Sequence, residues 1–250
     1  MAGHPEAERA DPIAGDVRAV RRDGRERYGA GKIKAALERR GVTASRRRIG
    51  GIMCEQGMRA RTRADGPNRT GRGSTRPGSR TCRTRGFDGY APHTRPAGDL
   101  TYVRVGGDWA YVCLLVDLAD RGIVGHSAGR TRDASLVLGA FATLDFPPAD
   151  VRVFHTDRGG EFDNTGIDEL LRVFGIKRSL SRKGDPCDND VVESTNRLLR
   201  KELVYRNHCT TIEQLRRDPD DYVWWSDDQR LHSTLGYRSP KEFTEQGLVL

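Results

Sequence analysis

The run "WAYVCLLVDL", residues 109–118, narrows the possible folds more than any other stretch. Positions 110–116 are all apolar or aromatic, so a strand built from them has no polar face to turn toward water. Such a strand belongs in the interior of a sheet covered on both sides. Its neighbours fit that placement: "LTYVRV" and "GIVGHSAG" flank it at hairpin spacing and read as two further strands. Next come "DASLVLGAFATL" as a helix and "VRVFH" as a fourth strand. "NTGIDELLRVFG" follows as a helix, with Thr165 and Asp168 spaced as in a capping box and Gly175 as its stop. "IKRSLS" is a short fifth strand, "RKGDPC" a loop, and residues 188–205 a long helix. This order predicts an α/β fold on a mixed five-stranded sheet with helices on both faces. A further helix fits residues 212–227, and "SPKEF" opens another, with Ser239 as N-cap, Pro240 at N1 and Glu242 at N3.

The front of the chain has a different texture. "YGAGKIKAALERRG" places Ile33 and Leu37 one helical turn apart and ends on Gly41. After "VTAS", Ser45 is a suitable N-cap for "RRRIGGIMCEQG", where Ile49, Ile52 and Met53 share a face. Two helices joined by a short Gly-containing turn predict a helix-turn-helix. Arg46, Arg47 and Arg48 occupy the first turn of the second helix, where a recognition helix meets DNA. Residues 61–98 are rich in Gly, Pro, Ser, Thr and Arg, lack any period, and read as a basic flexible linker.

Charge follows the same division. Residues 1–98 carry 23 Lys+Arg against 10 Asp+Glu, and residues 99–250 carry 20 against 25, so +13 and −5 sum to the overall +8. A basic front predicts a polyanionic partner, most simply DNA. The five cysteines are odd in number and form no CxxC pair, which supports neither a disulfide framework nor a zinc site and fits a reducing cytoplasm. No apolar run reaches membrane-spanning length and the N-terminus has no signal-peptide core, so no membrane partner is expected.

The acidic back half needs its own explanation. The first strand is expected to start at Asp99 and the fourth to end at Asp157. With strand order 3-2-1-4-5 these two strands are parallel neighbours, and their carboxylates converge at a switch point of the sheet. Glu193 would arrive from the helix packed across that edge. Three carboxylates in one cleft repel one another unless a hard cation lies between them, and Mg²⁺ or Mn²⁺ is the natural occupant. Two such ions suit phosphoryl transfer. Arg197 and Arg200 lie four and seven residues after Glu193 on the same helix face, with Asn189 and Asn196 flanking it. Lys201 adds another cation beside them for phosphate contacts. Asp117 and Asp120 in "VDLADR" read as turn and structural residues, because an antiparallel second strand ends far from the fourth strand's exit.

"DLTY", "HTDRGGEF" and "DNDVVESTNRLLRKEL" together resemble the integrase core of DDE transposases and retroviral integrases, including the 35 residues (158–192) that separate Asp157 from Glu193. "QRLHSTLGYRSPKEF" and the front segment "YGAGKIKAALERRGVTASRRRIGGIMCEQGMRA" resemble the insertion-sequence-three family of transposases in particular. The resemblance implies a ribonuclease-H-like core with Asp99, Asp157 and Glu193 as catalytic metal ligands and Arg200 as the basic residue of the motif. It implies Mg²⁺- or Mn²⁺-dependent cleavage at terminal inverted repeats and strand transfer into target DNA. Its expected partners are a second copy on paired ends and the product of an upstream reading frame, in the bacterial cytoplasm at the nucleoid. The family usually places Trp three residues before the first Asp, where this chain has Pro96. The expected division is a helix-turn-helix DNA-binding region at 1–60, the linker at 61–98, and an integrase catalytic core with a C-terminal helical extension at 99–250. The alternative is a DNA-binding protein that has lost catalysis.

Overall fold

The structure, a computed structural model, describes residues 11–58, 89–181, 189–206 and 209–250. It divides into two compact units, one within Met1–Gly66 and the other within Pro67–Leu250. The linker residues before Gly89 and the loop "RKGDPC" lie outside the described residues.

The first unit has three helices: α1 (Ala14–Asp23), α2 (Ala30–Arg39) and α3 (Arg46–Glu55). Each places apolar residues three and four apart, and these faces meet in a core of Val17, Val20, Ile33, Leu37, Ile49, Ile52 and Met53. Gly41 takes φ +77° in the turn between α2 and α3, a left-handed conformation that costs glycine nothing. Ser45 caps α3 as expected, accepting from the Arg48 N–H at 3.1 Å.

The second unit is a five-stranded sheet of order β3-β2-β1-β4-β5: β1 (Pro96–Val105), β2 (Asp108–Asp117), β3 (Ile123–Gly129), β4 (Val153–Thr156) and β5 (Lys177–Leu180). The first three strands are an antiparallel meander, while β4 and β5 run parallel to β1. The apolar run singled out in the sequence is the central part of β2, and Ala110 and Val112–Val116 are fully buried. One face of the sheet packs against α4 (Ala134–Phe141) and α5 (Thr165–Phe174), with Cys113, Leu115, Leu136, Val137, Phe141, Phe154, Phe162 and Ile167 interleaved. The other face carries α6 (Asp190–Leu199), which meets β1 and β2. The helices α7 (Ile212–Asp228) and α8 (Pro240–Glu245) complete the unit.

Three local expectations need correction. β1 begins at Pro96, three residues before Asp99, so Asp99 is the fourth residue of the strand rather than its first. Pro is tolerated at a strand's first position, and Gly98 leaves room for the rings of Phe154 and Phe162, which a Cβ there would meet at 2.8 and 3.2 Å. Punctuation that reads as linker is here a strand entry. The cap of α5 is Asn164, whose side chain accepts from Ile167 N at 3.1 Å, and Thr165 is already helical. The helix after Asn189 is not one regular helix to 205: it is α-helical to Leu199 and continues as a π-helical turn over Arg200–Val204. The expected capping box of α8 is present, with Ser239 and Glu242 bonded reciprocally.

Candidate active site

The site is built where β4 runs out beside β1. The last two parallel rungs are Ala97↔His155 and Gly98↔Thr156, so Asp99 and Asp157 each lie one residue beyond the final rung. The Asp157 backbone leaves the sheet into "DRGGEF", and its Oδ1 accepts from Gly159 N at 2.9 Å, a local turn that fixes the carboxylate. Glu193 is exposed in the first turn of α6.

Asp99 is the most constrained of the three. Its Oδ2 accepts from Asn196 Nδ2 at 2.8 Å and its Oδ1 from Leu100 N at 2.9 Å. Burial pushes its pKa up to about 6, opposed by those two hydrogen bonds, and the negative charges of Asp157 and Glu193 push in the same direction as burial. The three carboxylates therefore sense one another at Asp99. As they stand, no three His, Cys, Asp or Glu side chains among the described residues are gathered closely enough to hold a metal ion.

Asn196, one turn after Glu193, is the residue the sequence reading placed beside the site without a partner. It is buried, and only the crossing of α6 over β1 reveals its hold on Asp99. Its Oδ1 and that of Asn189 are buried without a hydrogen-bond partner. Arg197 is exposed on α6, Arg200 is half-buried at its end, and Lys201 is exposed at the start of the π-helical turn. In that turn Glu202 is buried and paired with buried Arg230 through Nε and Nη2, both at 3.0 Å, while Tyr222 Oη donates to it at 3.2 Å. Arg230 is thus structural. His155 is held by Ser179 and Ser181 at 2.9 and 3.2 Å. Asp117 accepts from His93 N and, at 2.9 Å, from Ala119 N, and Asp120 accepts from Gly122 N at 2.8 Å and Thr244 Oγ1 at 2.7 Å. Asp117 ends β2 and Asp120 lies in the turn after it, and both carboxylates hold backbone N–H groups there, in keeping with the structural roles their sequence context suggests. In the front unit Arg46, Arg47 and Arg48 are exposed on the first turn of α3, and Arg48 is held by Asp11 through two bonds of 2.8 Å.

Comparison with known proteins agrees with this architecture. An HTH-like domain family matches residues 8–65, and integrase core domain families match residues 89–186 and 174–240. The transposase for insertion sequence element IS904 of Lactococcus lactis subsp. lactis (strain IL1403) is 30% identical over 233 residues, covering 91% of this chain and 91% of its own. The transposase InsF for insertion sequence IS3A of Escherichia coli (strain K12) is 28% identical over 90% of this chain and 79% of its own. The chain belongs to the IS3 family of transposases. Among solved structures, this transposase-family chain is similar in fold to the simian T-cell lymphotropic virus intasome in complex with PP2A regulatory subunit B56 gamma. The TM-score is 0.53 at 18% identity, over 84% of this chain and 69% of the other. The membership accounts for both units of the IS3-family chain: an HTH-like front and an integrase core of ribonuclease-H-like topology.

Proposed function

We propose that the chain cleaves DNA at the terminal inverted repeats of an insertion sequence and joins the resulting 3′ end to target DNA. The observation that supports this most is the placement of Asp99 and Asp157 one residue past the last β1–β4 rung, with Glu193 acting electrostatically on Asp99. The donor set suits Mg²⁺ or Mn²⁺. It is all oxygen, and the repulsion from Asp157 and Glu193 that adds to the effect of burial on Asp99 is what a hard divalent cation relieves. Asp99, Asp157 and Glu193 would hold the ion or ion pair. When bound, such ions supply Lewis-acid activation of the attacking water or 3′-hydroxyl and stabilise the departing 3′-oxygen.

The remaining work falls to the protein's own groups. Asn196 holds the Asp99 carboxylate in place. Arg197, Arg200 and Lys201 follow Glu193 along α6 and its extension and receive DNA phosphates. Arg46, Arg47 and Arg48 contact the end repeats from α3, with Arg48 exchanging Asp11 for phosphate. In the joining step the 3′-hydroxyl attacks a target phosphorus in line, and the old P–O3′ bond breaks as the new one forms. No covalent bond to the protein is needed. Joining two ends to one target calls for a second copy of the chain. The upstream-frame product is a further proposed partner, and the bacterial cytoplasm at the nucleoid is the proposed location.

The full chain incubated with end-repeat duplex and Mg²⁺ should yield nicked and then joined products. Asp157→Asn should reduce both by at least ~10³-fold without weakening end binding. Joined product at the wild-type rate in that variant contradicts the proposal. The second reading is a DNA-binding protein without catalysis. It predicts end binding with no metal-dependent product from the unmutated chain.

A further inference from the structure

The β1–β2 hairpin carries a feature that the carboxylate site does not use. Its rungs Tyr102↔Tyr111 and Arg104↔Trp109 place four side chains on one face. Two of them are large aromatics in solvent, Tyr102 at 57% and Trp109 at 50% exposure. Their rings meet edge to face with centroids 5.3 Å apart. The Arg104 guanidinium lies 4.7 Å over the Trp109 ring while its Nη1 donates to Gly107 O at 2.7 Å. The group is preorganised. Gly106 and Gly107 form a tight turn at φ +59° and +95°, and Gly106 N donates to Cys209 O at 3.3 Å. A side chain at Gly106 would meet Thr210 O at 2.8 Å.

Cationic groups continue the surface onto β3. Arg130 Nη1 lies 3.5 Å from Val105 O and 3.8 Å from Asp108 Oδ2, so it adjoins the hairpin end. Arg130 also lines a cavity of about 360 Å³ with Thr131, Ser135 and Arg216. Arg216 is aimed there by the bond from its Nε to Ala128 O at 3.2 Å. Two arginines and two hydroxyls form a slot suited to a phosphate. A stiff pair of exposed rings beside it suits the π-face of an unpaired base, which every base presents. β4 ends opposite Gly98 while β1 continues beside β2 to Val105. Tyr102 lies three residues past Asp99, so it stands on the opposite face of the sheet from that carboxylate, the face that carries α4 and α5.

We propose that this hairpin face binds an unpaired nucleotide of the bound DNA, on the side of the sheet away from the carboxylates. The base stacks on Trp109 and Tyr102, and its phosphate enters the slot of Arg130 and Arg216. The inference rests on the proposed DNA-acting function but concerns binding, so it is tested without chemistry. In chelator, the full chain is titrated with fluorescently labelled oligo(dT) and with an abasic oligonucleotide of equal length, which keeps the phosphates and lacks the bases. Trp109→Ala should weaken oligo(dT) binding about tenfold, the loss of one stacked base, and leave abasic binding unchanged. Trp109→Tyr should retain most of the affinity, and Arg216→Ala should weaken both oligonucleotides. Tyr102→Ser, at a more exposed position, gives the same readout if Trp109→Ala unfolds the hairpin. Equal oligo(dT) affinity in the wild type, Trp109→Ala and Tyr102→Ser overturns the proposal, as does an equal loss on both oligonucleotides in the two aromatic variants. Base-dependent binding in a chain that joins no DNA would instead count against the strand-transfer reading alone.

Discussion

Asp99 is an acidic side chain in surroundings that disfavour its charge, and this gives it a stability cost of definite sign. Its folded pKa of about 6 exceeds the ordinary value of 3.8, because of burial and then the nearby Asp157 and Glu193 charges. In the window between those values the folded state binds more protons than the unfolded one. Stability without metal is therefore full below about pH 4 and falls as pH rises to about 6, by on the order of 3 kcal/mol. Asp99→Asn should then raise the thermal midpoint of the metal-free chain at pH 7–8 while abolishing strand transfer, and the two should converge near pH 4. A midpoint lowered at pH 7–8 would contradict this. Asn196 acts in the opposite direction to burial, since its donated hydrogen bond favours the charged carboxylate. Asn196→Ala should move the acid limb of metal-dependent joining to higher pH by roughly half a unit to one unit. A merely structural loss would lower the rate equally at every pH. At this scale the neighbouring placement of Asp99 and Asp157 beside the β1–β4 rungs was legible, because residue type, motif and spacing all survive in one dimension. The Asn196–Asp99 bond was not, because it joins residues 97 positions apart through a helix crossing a strand.

The elements show why strand entry was hard to read and strand order was not. The meander, the helix and the parallel return follow from apolar runs and their spacing, and the order 3-2-1-4-5 is as the sequence predicts. The residues before Asp99, "RPAG", look like linker because Pro and Gly usually interrupt strands. Here Gly98 is the point where Phe154 of β4 and Phe162 of the following loop reach the backbone of β1. A methyl group there would lie 2.8 Å from the Phe154 ring. Gly98→Ala should cost about 1–3 kcal/mol in denaturant unfolding and should impair joining, since it separates the strands that carry Asp99 and Asp157. The π-helical turn after α6 was also hidden. It carries a buried pair, Glu202 with Arg230, that no helical periodicity announces. Arg230→Met strands a buried carboxylate and should destabilise the second unit by about 3–5 kcal/mol.

The whole molecule combines a basic front, +13 over residues 1–98, with an acidic core, −5 over residues 99–250. With repeat binding proposed for the first and chemistry for the second, the two should separate by mutation. Arg46→Ala with Arg47→Ala should weaken end binding and flatten its salt dependence by nearly two counterions in a log–log plot. The carboxylate variants should bind ends normally. Composition predicts such a division, because charge and texture change together along the chain. In the proposed function Asp99, Asp157 and Glu193, from the ends of two strands and a helix, act as one metal site. The decisive measurement is Mn²⁺ binding to the full chain on end-repeat DNA, followed by electron paramagnetic resonance. Saturable binding is expected of the wild type, lost or weakened at least ~10-fold in each of Asp99→Asn, Asp157→Asn and Glu193→Gln. Undiminished Mn²⁺ binding in all three variants would contradict it.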